Sequence, residues 1–108
     1  MALFVVFTPL PAAAMAIYPF ILVKSKHCKK DAVLVNHEKI HHQQQLELLI
    51  IPFYLFYLLN YLVNLLIYKS HHQAYLNIVF EREAYANECN LTYLHKRKRY
   101  CWLKNKKA

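Results

Sequence analysis

At 108 residues the chain has room for one domain. A chain of this size buries only about two thirds of the surface it exposes when unfolded, so a metal, a membrane or a partner subunit is the expected brace. Gly is absent, which excludes P-loops and dinucleotide fingerprints, whose backbones need conformations that Gly alone takes freely. The formal charge of +8 is gathered into two blocks, Lys24, Lys26, Lys29 and Lys30, then Lys96, Arg97, Lys98, Arg99, Lys104, Lys106 and Lys107. Apolar stretches beside both blocks point to an anionic membrane surface rather than to nucleic acid.

Residues 1–23 are almost wholly apolar and precede the first lysines. A secretory signal carries its charge before the apolar run, and Met1-Ala2-Leu3-Phe4 has none, so no cleavable signal peptide is expected. Pro9, Pro11 and Pro19 each disrupt a helix. The segment predicts two strands, Leu3–Phe7 and Met15–Val23, joined by a turn at Thr8-Pro9-Leu10-Pro11, with Pro19 at an edge or bulge. His27 and Cys28 follow, and a thiol near the next helix could act as a ligand or switch. Cys28, Cys89 and Cys101 are odd in number and widely spaced, which gives no disulfide framework and suits a reducing compartment.

Asp31 is a suitable N-cap for a helix running from Ala32 at least to Ile50. His37, His41, Gln44 and Leu48 form one stripe on it, while His42 turns away and reads as a surface residue. Pro52 forces a kink or break. Leu48 to Tyr68 holds no charged residue over 21 positions, long enough to span or lie on a membrane, or to be buried as one or two helices. Asn60 and Asn64 mark a turn or a polar face within it. Tyr54, Tyr57, Tyr61 and Tyr68 read as packing or membrane-interface residues. A further helix is expected from Ser70 or His71 to about Lys98, with His71 and His72 exposed at its start. The expected class is mainly α with a short N-terminal β-hairpin or edge strand (α+β). The single domain 1–108 divides into a strand and turn segment 1–30, a helical core 31–98 containing apolar 48–68, and a basic tail 99–108.

The chemistry lies in His37-Glu38-Lys39-Ile40-His41. Histidines at i and i+4 sit on adjacent turns about 5–6 Å apart, so both imidazoles reach one metal ion. Glu38, one position round, can address a metal-activated water without being a ligand. A catalytic zinc takes three protein ligands and keeps one open position. The later helix offers the third: Glu81, Tyr85 and Glu88 share a face, whereas Glu83 is turned about 200° from Glu81. Both Glu81 and Glu88 remain candidates on this ground.

The segment His37-Glu38-Lys39-Ile40-His41-His42-Gln43-Gln44, followed by Glu81 with Ala84 three residues on, resembles the gluzincin metallopeptidases. The resemblance implies an HExxH helix packed antiparallel on a Glu-bearing helix, Zn2+ held by His37, His41 and Glu81, and a peptide substrate paired along a neighbouring strand. It selects Glu81 over Glu88 as ligand. Many gluzincins carry Asp where this chain has Tyr85, and that Asp orients a ligand histidine; Tyr85 or Glu88 would substitute, with Gln44 a further outer support. Residues 15–95 also resemble small bacterial proteins with HEKIH and FEREAY-type segments, a likeness that brings no substrate with it.

These features predict a small membrane-associated zinc hydrolase, bacterial, with its basic ends cytoplasmic. Glu38 would serve as general base and Tyr85 as a donor to the substrate carbonyl. The rivals are a non-catalytic membrane or complex subunit with a structural metal clip, and a basic lipid- or RNA-binding module. The metal reading carries a structural condition: the chain must fold back between Ile51 and Lys69, at Pro52 or Asn60, to bring His41 level with Glu81.

Overall fold

A computed structural model describes residues 3–10 and 12–103. Strands β1 (Leu3–Val6), β2 (Ala14–Ile17) and β3 (Phe20–Val23) form a sheet in the order β1-β3-β2. Helices α1 (Ala32–Glu47), α2 (Ile51–Tyr68), α3 (His71–Leu76), α4 (Val79–Asn87) and α5 (Tyr93–Lys96) follow, with 3₁₀ turns at Lys26–Lys30 and Cys101–Leu103. The molecule is mainly α with a small N-terminal sheet, as its sequence suggests.

The N-terminal segment departs from the expected pair of strands. Met15–Val23 is not one strand: the chain turns at Tyr18-Pro19, whose peptide bond is cis, and β2 pairs antiparallel with β3 from Ala14↔Val23 to Ile17↔Phe20. The expected partner, β1, instead lies parallel to β3, from Leu3↔Phe20 to Val6↔Val23. Pro19 thus sits in the turn, where its missing N–H breaks no ladder. Alternation along the strands sends Ala14, Ala16, Ile21 and Val23 inward and leaves Met15, Ile17 and Phe20 exposed.

Asp31 caps α1 as expected, its carboxylate accepting from the Leu34 amide at 3.1 Å. The helix stops at Glu47, because Leu49 and Ile50 take positive φ (60° and 43°) to turn the chain. Pro52 then enters the first turn of α2, where a missing N–H costs no hydrogen bond. The fold-back therefore lies at Leu48–Ile50 and again at Lys69, not at Asn60, through which α2 runs unbroken. Asn60 instead reaches across, its Oδ1 accepting from the Val79 amide at 2.8 Å at the start of α4. The expected continuous helix from 70 to 98 is three helices, interrupted at Asn77–Ile78 and after Asn87.

Helix α1 is unusual in what it buries. Of its buried residues Asn36, His37, Glu38, Ile40, His41, His42, Gln44 and Gln45, only Ile40 is apolar. One apolar cluster, Ala14, Ile21 and Val23, lies under the sheet, and another, Phe53, Ile78 and Phe80, lies between α2 and α4. The polar face of α1 ties these layers together. Asn36 donates to the Asn87, Glu88 and Asn90 carbonyls, and Gln44 to that of Phe80. Position 36 thus meets 87–90 while 44 meets 80, so α1 and α4 run antiparallel.

Helix α2 is long and apolar enough to cross a membrane, with mean hydropathy 1.5 and only 11% of its residues buried.

Candidate metal centre

Glu81 lies opposite His37 and His41 where α4 crosses α1, and all three are buried. The Nε2 atoms of the two histidines are 3.2 Å apart, and each is 3.1 Å from Glu81 Oε1. In a tetrahedral site with ligand bonds of about 2.0–2.1 Å, neighbouring donor atoms stand about 3.3 Å apart. The three atoms have the spacing of one face of such a site.

The outer partners decide which ring nitrogens carry protons. His37 Nδ1 lies 2.7 Å from Glu88 Oε1, a carboxylate oxygen that accepts only. His41 Nδ1 lies 2.8 Å from Gln44 Oε1. The Gln44 amide is held in that orientation because its Nε2 donates to Phe80 O at 3.0 Å and to Glu83 Oε1 at 2.9 Å. Each Nδ1 therefore donates, and each imidazole in its neutral form presents an Nε2 lone pair inward. Two lone pairs and a carboxylate oxygen then face one another with no hydrogen of their own to share. That arrangement calls for a cation between them, and the buried His-His-Glu group could hold a metal ion.

The electrostatics agree with this reading. Burial pushes the Glu81 carboxyl up, but His41 and His37 outweigh it and hold the group well below the usual carboxylate range. Burial likewise opposes charge on His41, and the neighbouring Glu81 reverses that, lifting the imidazole to about 9. In the metal-free protein a proton on His41 thus takes the cation's place. Glu38 differs: burial pushes its carboxyl up, against the opposing pull of His41 and His37.

Glu38 is not one of the three converging donors. It lines a cavity of about 370 Å³ with His37, His41 and Glu81, opposite Ala14, Met15 and Ala16 of β2. Tyr85, expected to steady a carbonyl, packs its ring edge-on against His37 with centroids 4.5 Å apart. Its hydroxyl pairs with that of Tyr75 at 2.9 Å. Burial raises both phenols, so both are protonated donors near neutrality. Glu88, not Tyr85, is the group that binds the outer nitrogen of His37.

Several groups escaped the sequence reading. Tyr57 donates from its hydroxyl to Glu81 Oε2 at 2.6 Å, holding the carboxylate with Oε1 toward the histidines. Glu83, although turned from the metal face, is fully buried and bound by Arg97, Tyr93 and Gln44. Arg97 also grips Glu47 at 2.6 and 2.9 Å, so one member of the expected basic block is an interior ion-pair partner. His42 is buried rather than superficial, donating from Nε2 to Phe20 O at 2.9 Å. Gln45 accepts from the Tyr18 amide and donates to Ala16 O, fastening the hairpin to α1. The available signal was the missing apolar stripe at 36–45, since a helix without one that still packs must bury polar groups.

His71 and His72 are exposed as expected, and Cys28 packs with the sheet cluster rather than joining the three donors. Residues 104–108 of the expected tail 99–108, with Lys104, Lys106 and Lys107, lie outside the described residues. The chain matches no protein-family model, no curated protein and no solved structure.

Proposed function

We propose that this protein is a small membrane-associated zinc hydrolase of the gluzincin type that cleaves peptides. The observation that carries the reading is the trio of inward donors, His37 Nε2, His41 Nε2 and Glu81 Oε1, at mutual distances of 3.1–3.2 Å. Nitrogen and carboxylate donors in this number suit zinc. When bound, zinc supplies a Lewis acid and acidifies a water at neutral pH. Glu38, buried beside the trio with a raised carboxyl pKa, takes the proton from the attacking water and returns it to the leaving amine. Tyr75, in the cavity wall and paired to Tyr85, is placed to donate to the substrate carbonyl.

Three protein donors beside an open cavity favour catalysis over a structural clip, which would close with a fourth ligand. Edge strand β2 lines that cavity, so an extended peptide would add along Ala14 and Met15. Membrane association is supported by the exposed apolar length of α2. Metal analysis of the purified protein tests the site: one zinc per chain is expected, and none in His37→Ala/His41→Ala. Glu38→Gln should retain zinc and lose peptide hydrolysis by about 10²–10⁴-fold. A parent chain without metal would overturn the site; zinc without hydrolysis of any peptide would overturn the catalytic reading alone.

A further inference from the structure

The two faces of α2 divide sharply. Phe53, Tyr57, Asn60 and Asn64 face the body of the protein: Phe53 packs on Phe80, Tyr57 binds Glu81, Asn60 caps α4, and Asn64 Nδ2 donates to Ala74 O at 3.1 Å. Two residues on from each, and so about 200° round the helix, stand Leu55, Leu59, Leu62 and Leu66. These are 59%, 58%, 45% and 80% exposed. Leu49 and Ile51, at 77% and 72%, extend the same apolar surface past the start of the helix. The outer face of α2 carries no charge, while its polar residues point inward.

Basic residues stand at both ends of this face. Exposed Lys69 caps the C-terminal end. At the other end, Arg97 and the Tyr100 amide both bind Glu47, the last residue of α1. That contact holds exposed Lys98 and Arg99 beside the turn into α2. An aliphatic strip bounded by cations matches an anionic lipid surface, not an aqueous one.

The neighbours of α2 argue against a crossing. Along its axis Tyr57 lies about 9 Å and Tyr61 about 15 Å from Ile51, so Tyr61 sits near the middle of a 27 Å rod. The Tyr61 hydroxyl meets the ring of exposed His71 at 2.7 Å. A perpendicular helix would hold that imidazole, with exposed His72 and Gln73 beside it, near the bilayer centre, where polar groups are costly.

Building on the membrane association in the proposed function, we propose that α2 lies flat in the surface of an anionic bilayer. Its leucine strip is immersed, and Lys69, Lys98 and Arg99 rest among the headgroups. This seating also brings to the headgroup level a groove of about 540 Å³ lined by Tyr54, Tyr57, Leu58, Tyr61 and Tyr75, with His71 at its wall. The groove shares Tyr54, Tyr57 and Tyr75 with the cavity beside the candidate metal site, so a substrate segment held at the membrane surface has an apolar route to it.

The test uses the full chain with vesicles of phosphatidylcholine alone or with one third phosphatidylglycerol. Flotation should show preference for the anionic vesicles. Lys69→Gln/Lys98→Gln/Arg99→Gln should lower that partition on the order of 100-fold and change zwitterionic binding little. Environment-sensitive labels at Leu55→Cys, Leu62→Cys and Leu66→Cys, with Cys28→Ala, Cys89→Ser and Cys101→Ala, should report one shared shallow depth by lipid-attached quenchers. A depth greatest at 62 would overturn the flat seating and leave membrane association standing. No vesicle binding would overturn both; a dimer of native mass in that case would identify a second copy as the occupant. None of these readouts depends on metal or on hydrolysis.

Discussion

His37 and His41 each donate one ring nitrogen outward, and that assignment makes the inner nitrogens useful. Gln44 holds His41 and Glu88 holds His37, at 2.8 and 2.7 Å. Gln44→Ala and Glu88→Gln should each weaken zinc binding about 10–100-fold without removing it. Competition against a chromophoric chelator measures this; unchanged affinity would reduce both side chains to packing groups. The metal-free protein has its own pH signature. His41 is raised to about 9 from an unfolded value near 6.5, so its contribution is complete below about pH 6.5 and is lost as pH rises through about 9. Glu81 is depressed, so its contribution is present above about pH 4.3 and is lost on acidification below that. Zinc must displace the proton that His41 holds up to about pH 9, so the stability it adds should grow as pH rises toward about 9. Urea denaturation with and without zinc from pH 4 to 10 should therefore give slopes of opposite sign between about pH 7 and 9 for the metal-free protein and for the zinc increment.

At the scale of elements, the absence of Gly moves left-handed backbone onto ordinary residues. Lys69 ends α2 at φ 54° and ψ 28°, a conformation in which Cβ crowds the carbonyl. Lys69→Gly should stabilise the fold by about 1 kcal/mol in chemical denaturation. Asn60→Ala should cost about 1 kcal/mol by leaving the Val79 amide at the start of α4 without its acceptor. Arg97 gives the largest expected effect. Its side chain is 4% exposed between Glu47 and Glu83, so Arg97→Met would leave two buried carboxylates without their cation. A loss of about 3–5 kcal/mol is expected, and a loss below 1 kcal/mol would show that solvent already screens the cluster. Because Glu83 also orients Gln44, zinc affinity should fall in the same variant.

The described residues form two modest apolar clusters joined through a polar layer on α1. Zinc at 100 times its dissociation constant should add about 2.7 kcal/mol. In a domain of this size that corresponds to a rise of roughly 10 °C in melting temperature, readable by calorimetry. Much of the site was legible in sequence. The spacing of His37 and His41 is set by helix geometry, and so are the shared face of Glu81 and Glu88 and the reach of Gln44, which needs no knowledge of distant packing. The charge-free run 48–68 likewise announced apolar helix, because composition alone sets its preference for a nonpolar surface, but whether it was one helix or two was decided by the fold. What stayed hidden depended on partners far along the chain. The parallel β1–β3 pairing, Tyr57 on Glu81, and the burial of His42, Glu83 and Arg97 join residues from 10 to 50 positions apart. Local sequence determined which side chains could chelate a metal. Only the tertiary structure decided that Oε1 of Glu81 meets both histidines, because that distance is set by how α1 and α4 cross and not by the periodicity of either.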